Sequence, residues 1–174
     1  MAVSQKINLI ELARAQLATF SRYSAGTRFL DFVTFAILPL ALGILAGFCA
    51  PPVYSASGLL TGASVFAGLL VALLVNVFNF SVKIRRDEKV RPEERLARTV
   101  DELMANAAWT VVSALALVVA IVCAAATQEP QTALAPAWVG VLAGLATYVI
   151  LNVLMVLSRI WTAHGDIKDL PPKR

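Results

Sequence analysis

Four long stretches of the chain are apolar and uncharged. They cover residues 32–50, 59–82, 103–126 and 136–158, and none contains Asp, Glu, Lys, Arg or His. As α-helices, segments of about 20 residues cross a hydrocarbon core of roughly 30 Å. Lipid offers no hydrogen-bond partners to the backbone, so spanning segments of this kind should be helical. The pattern therefore predicts an all-α polytopic membrane protein with four transmembrane helices.

The basic residues predict how these helices are oriented. All 15 Lys and Arg residues fall in 1–31, 83–102 and 159–174, and the short connections 51–58 and 127–135 have none. By the positive-inside rule, both termini and the 83–102 loop are expected in the cytoplasm. The expected organisation is a cytoplasmic or interfacial segment 1–31, a transmembrane domain 32–161 and a cytoplasmic tail 162–174. The first 28 residues lack an uninterrupted apolar core, so we expect no cleavable signal peptide.

Two of the charged segments carry further structural or functional predictions. Residues 4–21 show the apolar spacing of an amphipathic helix, which would lie on the inner leaflet or against a neighbouring subunit. The 83–102 loop, expected to extend both neighbouring helices, carries seven basic and six acidic residues and is nearly neutral. Its arginines are nevertheless the candidate contacts for a cytoplasmic partner or a nucleotide ligand: Arg85, Arg86, Arg91, Arg95 and Arg98.

Composition narrows the function. The chain is 59% hydrophobic, with a mean hydropathy of +0.75, which is too apolar for a soluble domain of 174 residues. No nucleophile elbow, paired intramembrane aspartates or zinc-protease motif occurs, so we expect no enzyme, metal site or cofactor. The one histidine, His164, lies in the polar tail. Cys49 and Cys123 fall near the outer ends of their spans, either as small apolar residues or as a disulfide.

Polarity within the spans comes mainly from four asparagines, which all belong to the cytoplasmic halves: Asn76, Asn79, Asn106 and Asn152. A side-chain amide facing lipid would leave donors and acceptors unsatisfied, so these residues should face protein or water. They either form interhelical hydrogen bonds or line a vestibule or a pore. The spans have no ionisable residue, which argues against a proton-coupled or cation-coupled transporter.

Glycine and proline suggest how the helices pack. Three G-x-x-x-G pairs, Gly43/Gly47, Gly58/Gly62 and Gly140/Gly144, predict close helix contacts in the outer half. Pro39 should kink the first span, as a gate hinge or as a packing accommodation. Residues 67–85 match 143–161 at six of nineteen positions, including Asn76 with Asn152. Such a repeat of two hairpins predicts a compact four-helix bundle.

One stretch resembles a known group of proteins. The run Glu94 to Trp109 has an acidic-leucine step at 101–103, an asparagine at the membrane entry (Asn106) and an aromatic residue three positions later. It is similar to the entry of the third span in small four-helix membrane proteins of bacterial anti-phage defence operons, the membrane component of Hailong-type systems. This resemblance implies a homo-oligomeric ion channel in the bacterial inner membrane, shut until infection and regulated by a nucleotidyltransferase product.

The leading functional hypothesis is therefore an oligomeric channel or pore-forming effector. A filled four-helix core leaves no room for a pore within one subunit, so a ring of subunits is needed. Its wall is expected to use the second and fourth spans, with Asn76, Asn79 and Asn152. The alternative is a non-conducting membrane anchor or regulatory subunit for a cytoplasmic partner, and a small-solute transporter ranks third.

Overall fold

The structure is a computed structural model that describes residues 33–49, 51–86, 95–129 and 132–168. This part of the chain is helical, with short connections and no strand. A π-helical turn, Val33–Ile37, leads into α1, and three longer helices follow in the order α1 (Leu38–Cys49), α2 (Ala56–Arg86), α3 (Arg95–Thr127) and α4 (Pro136–Lys168). The predicted amphipathic helix at 4–21, the candidate contact Arg91 and the end of the tail lie outside the described residues.

Three helices are long and apolar enough to cross a membrane. The apolar segments are Ala56–Lys83, Thr99–Thr127 and Pro136–Thr162, whereas Val33–Cys49 forms a shorter apolar helix. The all-α, membrane-type architecture is thus confirmed for the described residues, as three long apolar helices and one shorter one. At about 1.5 Å per residue, α2, α3 and α4 each exceed the thickness of a hydrocarbon core. Their ends therefore extend beyond it.

The four helices form an open arrangement. The main contacts join α2 to α3, α3 to α4, and α4 to α1, so α1 and α2 occupy the two outer positions. The loops 51–55 and 128–135 meet at what we call the short-loop end, where the Leu134 amide donates to the Val53 carbonyl at 2.8 Å. The opposite end, with Lys83, Glu102 and Arg159, is the charged end. The expected compact bundle was wrong, because α1 packs along α4 and makes no extensive contact with α2.

Helix α3 supplies half of the buried apolar residues because it lies between two neighbours. Its buried apolar residues recur every three or four positions, which keeps them on the faces towards α2 and α4. They are Val100, Leu103, Ala107, Val111, Ala114, Leu117, Ile121 and Ala124. Many large side chains on α1 and α2 are exposed by contrast, as expected for helices that touch one neighbour and otherwise face lipid.

Two of the three glycine pairs pack against each other where α1 crosses α4. A Cβ placed on Gly43 would lie 2.8 Å from the Gly140 carbonyl oxygen, and one on Gly140 would lie 2.9 Å from the Gly43 carbonyl oxygen. Gly47 and Gly144 make similar backbone approaches one turn away on either side. Real side chains do not tolerate such distances, so this crossing requires glycine at its centre.

Pro39 lies where the π-helical turn gives way to α1. Proline has no backbone N–H and its ring crowds the preceding turn, so a wider turn before it relieves that crowding. Pro39 is buried, and its carbonyl oxygen lies 3.1 Å from a Cβ placed on Gly144. The structure thus contains an irregular turn at the predicted kink, with Pro39 packed on α4. Its role as a gate hinge stays a prediction.

The two cysteines are free and exposed. Cys49 ends α1 and Cys123 lies near the end of α3, on helices that do not pack extensively together. The disulfide considered from sequence is therefore not formed in this structure.

Candidate functional site: polar groups on the apolar helices

The structure divides the four intramembrane asparagines into two sets. Asn76 and Asn79, on α2, are exposed on the surface of the subunit. Asn106 on α3 and Asn152 on α4 are fully buried, at 0% exposure each. The first set is available to lipid, water or another subunit, whereas the second set acts within one subunit. Asn152 was expected in the pore wall, but in the structure its side chain lies inside the subunit.

Asn76 and Asn79 belong to a continuous face that α2 presents away from α3. We define the open face of α2 by eight exposed residues spaced three or four positions apart: Gly58, Thr61, Val65, Gly68, Ala72, Asn76, Asn79 and Lys83. These spacings place them on one side of a helix. Their side chains are small from the short-loop end to Ala72 and polar from Asn76 to the charged end.

The third glycine pair lies along this face and has no neighbour in the described part of the chain. A Cβ on Gly58, Gly62 or Gly68 would meet no other atom within 4 Å. The G-x-x-x-G pattern thus occurs in two structural settings. The pairs Gly43/Gly47 and Gly140/Gly144 pack together, whereas Gly58/Gly62 remains open. Small residues on membrane helices allow another helix backbone to approach closely. The open face has the surface that such an approach requires.

The two exposed amides lie within the apolar segment Ala56–Lys83. Asn79 is about 6 Å and Asn76 about 10 Å from Lys83 along the helix axis, towards the short-loop end. We find no hydrogen bond from either side chain to another described residue. Moving an amide from water to a medium without hydrogen-bond partners costs about 4–8 kcal/mol. A cost of that size for two adjacent amides indicates that water or another protein chain contacts this face.

A different polar region lies between α3 and α4, near the charged end. The Asn152 side-chain nitrogen donates to the Tyr148 carbonyl oxygen at 2.8 Å, and the Trp109 indole N–H donates to the Tyr148 hydroxyl at 2.8 Å. The guanidinium of Arg159 forms a salt bridge with Glu102. We call this set of contacts the α3–α4 polar seam. It is partly shielded, since the side chains of Arg159 and Glu102 are only 17% and 25% exposed.

Removing one partner of that salt bridge should destabilise the subunit. In Glu102→Ala the Arg159 guanidinium keeps its partial burial without a carboxylate, and we expect unfolding to become easier by about 1–3 kcal/mol. The exchange Glu102→Arg with Arg159→Glu should recover most of the loss. Asp101→Ala, an exposed neighbour, serves as the control and should cost less than about 1 kcal/mol. Unfolding in mixed detergent micelles measures all three, and equal losses for the two alanine variants would contradict the assignment.

Glu102 and Trp109 belong to the 94–109 run that carries the resemblance, and Arg159 is one of the basic residues that predict orientation. The sequence does not predict that any of them pairs across α3 and α4, and it gives Tyr148 no role. Opposite charges at the membrane-entry ends of consecutive antiparallel helices were the available signal for the salt bridge. The tryptophan–tyrosine contact joins side chains 39 positions apart and had no comparable local signal.

Four of the five candidate contact arginines lie on the described helices. The Arg86 side chain is exposed at the end of α2, and Arg85, Arg95 and Arg98 lie on the helical backbone of α2 or α3. A groove of about 790 Å³ runs between α1 and α4, over the glycine crossing. Its lining is apolar apart from the Tyr148 hydroxyl, which already accepts a hydrogen bond from Trp109. It offers little to a polar ligand.

Comparison with known proteins adds no relative. No protein-family model, characterised protein or solved structure matches this chain.

Proposed function

We propose that this protein is a homo-oligomeric membrane channel, or pore-forming effector, in which the open face of α2 contributes to the conducting wall. The observation that carries the proposal is the exposure of Asn76 and Asn79 within the apolar segment of α2. In an isolated subunit these amides would face lipid without partners. Around a shared central axis they would instead face water or the amides of neighbouring subunits.

The open arrangement of helices supports a ring of subunits rather than a pore inside one chain. Interior positions between α3 and both of its neighbours are filled by apolar side chains. Helix α2 packs on one neighbour and keeps its opposite side free for other copies. Cyclic symmetry would bring one α2 from each copy to the axis. The small residues at the short-loop end would permit close approach, and the amides would give the other half a polar surface.

The resemblance of the 94–109 segment supports a biological setting for this channel. We propose that it acts in the inner membrane of a bacterium, with both termini in the cytoplasm, and that it stays closed until phage infection. A nucleotide or a cytoplasmic protein would then act on the charged end. The proposed closed state agrees with the small apolar residues along the short-loop half of the open face, since an apolar constriction can block ions by losing its water.

The oligomeric state is the first test, because it does not depend on opening the channel. The full chain, extracted in mild detergent and transferred to lipid nanodiscs, is expected to give particles that contain several copies. The same preparation in liposomes should pass ions once it is open, and lose this flux when the open face is altered. Particles that contain a single chain would contradict the proposal.

The same preparation separates the channel from the non-conducting anchor. An anchor or regulatory subunit would need its cytoplasmic partner to form a stable assembly, and it would lose that partner when Arg91, Arg95 and Arg98 are changed to glutamate. A channel should form its ring without any partner, and these changes should leave the number of copies unaltered. Assembly that requires a copurified partner would favour the anchor.

A further inference from the structure

The fully buried side chain of Asn106 has no hydrogen-bond partner. Neither its side-chain oxygen nor its side-chain nitrogen has one among the described residues. The Thr110 hydroxyl lies one turn away, but it donates to the backbone carbonyl of Asn106 at 2.7 Å. An unpaired buried amide is destabilising by about 1–3 kcal/mol, and such groups in folded proteins are normally paired with protein or with ordered water.

A second unpaired group lies on the same seam. The Arg159 Nε is buried and has no partner among the described residues, although another nitrogen of its guanidinium contacts Glu102. Glu102 and Asn106 are four positions apart on α3 and therefore share a helix face. The unpaired amide and the unpaired Nε thus flank one carboxylate. The apolar residues clustered around this level, Val77, Leu103, Ala107 and Val156, provide no partner. The buried polar side chains Ser81, Thr110 and Asn152 do not bond to the Asn106 amide either.

The chemistry of the unpaired atoms indicates which ligand fits. Asn106 presents one acceptor and one donor group, and Arg159 presents a donor. A metal cation prefers several oxygen ligands and would be repelled by Arg159, and an anion would be repelled by the Glu102 carboxylate. Water both donates and accepts, and buried water typically makes two to four hydrogen bonds to groups of this kind. Water is the ligand that satisfies all three atoms together.

The surrounding contacts define where water would enter. Glu102 and Arg159 retain partial exposure and lie one turn from Asn106 towards the charged end. On the other side of Asn106, the hydrogen bond between Trp109 and Tyr148 joins the two helices. We propose that the α3–α4 polar seam binds water at the Asn106 amide. The water enters from the charged end, beside Glu102 and Arg159. The contact between Trp109 and Tyr148 prevents it from going further. This site belongs to one subunit and does not depend on the proposed channel.

Solid-state NMR of the full chain in lipid bilayers tests this site without a substitution. Every asparagine follows a different residue type, and Ala105-Asn106 is the only alanine-asparagine pair in the sequence. Protein labelled with carbonyl-¹³C alanine and with ¹⁵N in asparagine therefore identifies the Asn106 backbone amide, and an intraresidue correlation then identifies its side chain. Magnetisation transferred from water should reach the Asn106 side-chain nitrogen.

Two internal references make the result decisive. A second preparation labelled in glutamine shows the transfer for a partly exposed amide, since the Gln128 side chain is half-buried in a loop at the short-loop end. A third preparation, with carbonyl-¹³C asparagine and ¹⁵N alanine, identifies the Ala107 backbone amide through the unique Asn106-Ala107 pair, and this residue, buried in the apolar cluster, shows the background. We expect transfer to the Asn106 side chain to be several-fold faster than to the Ala107 amide and closer to that of Gln128. Transfer at the Ala107 level would overturn the proposal.

The same approach keeps this result separate from the channel hypothesis. Val75-Asn76 and Phe78-Asn79 are also unique pairs, so valine or phenylalanine labelling reports on the open face of α2. Water at Asn106 with dry Asn76 and Asn79 would support the buried site and argue against the channel. The reverse pattern would support the channel and reject the buried site.

Discussion

Replacing Asn76 and Asn79 together with leucine is expected to abolish the membrane depolarisation that induced expression of the unaltered chain causes in bacteria. Leucine has the same branched shape as asparagine but cannot hydrogen-bond to water, so the polar half of the open face would become apolar. An apolar pore surface loses its water and then its ions. A potential-sensitive dye measures the effect, and immunoblotting of membrane fractions shows that the variant inserts normally.

A matched control for this variant lies on the lipid-facing flank of the same helix. Val71 and Phe78 are exposed and apolar, and their seven-residue spacing places them together on one flank of α2, off the open face. Changing them to leucine should leave depolarisation unaltered. Unaltered depolarisation in the Asn76→Leu/Asn79→Leu variant would exclude these amides from the conducting path.

A second experiment tests whether α2 lines a water-filled path even if the channel stays closed in cells. Asn76→Cys, with Cys49 and Cys123 changed to serine, should react with a charged thiol reagent added from the charged end, because this part of the wall is wet in the closed state. Phe78→Cys, on the flank of α2 away from the open face, should react at least several-fold more slowly. Equal rates at the two positions would mean that α2 does not line a water-filled path.

The second large effect is expected at the glycine crossing of α1 and α4. In the double variant Gly43→Ala/Gly140→Ala, each added Cβ would lie within 3 Å of a backbone carbonyl oxygen on the opposite helix. A backbone atom cannot rotate away as a side chain can, so the helices must separate. We expect the free energy of unfolding to fall by roughly 1–3 kcal/mol for each substitution, as in overpacked cores. Unfolding in mixed detergent micelles, followed by circular dichroism, measures the loss.

The third glycine pair provides the control for this experiment. Gly58→Ala/Gly62→Ala adds the same two methyl groups in the same sequence motif, at positions with no atom within 4 Å. Its subunit stability should be unchanged or slightly higher, since alanine favours helix by up to about 1 kcal/mol per residue. Its assembly into oligomers should weaken instead, because the methyl groups point from the open face. Equal loss of subunit stability in both double variants would contradict the packing described above.

The helical membrane architecture was predictable because its signal is local. Apolar length without charge identifies a spanning helix from about 20 consecutive residues, whatever the rest of the chain does. The mutual arrangement of the helices was not predictable in this way. Three identical glycine patterns made three close contacts equally plausible, and only the fold shows that two of them meet and one stays open.

The asparagines show a similar limit. Their chemistry requires a partner wherever they lie, which sequence alone establishes. The internal match pairs Asn76 with Asn152, yet one is exposed on α2 and the other is buried against α3. The match placed the two residues at equivalent points along their helices but could not give the rotation of each helix about its axis. That rotation depends on packing with neighbours far away in the sequence.

The contact between α1 and α4 also determines when α1 can pack during synthesis of the chain. About 100 residues separate Gly43 from its partner Gly140, and chains are synthesised at about 5–20 residues per second. Helix α1 leaves the ribosome before α4 and must therefore wait several seconds for it. During that interval its glycine surface is open to any other helix in the same membrane. Factors that shield small-residue surfaces of nascent helices would therefore act on this chain at α1.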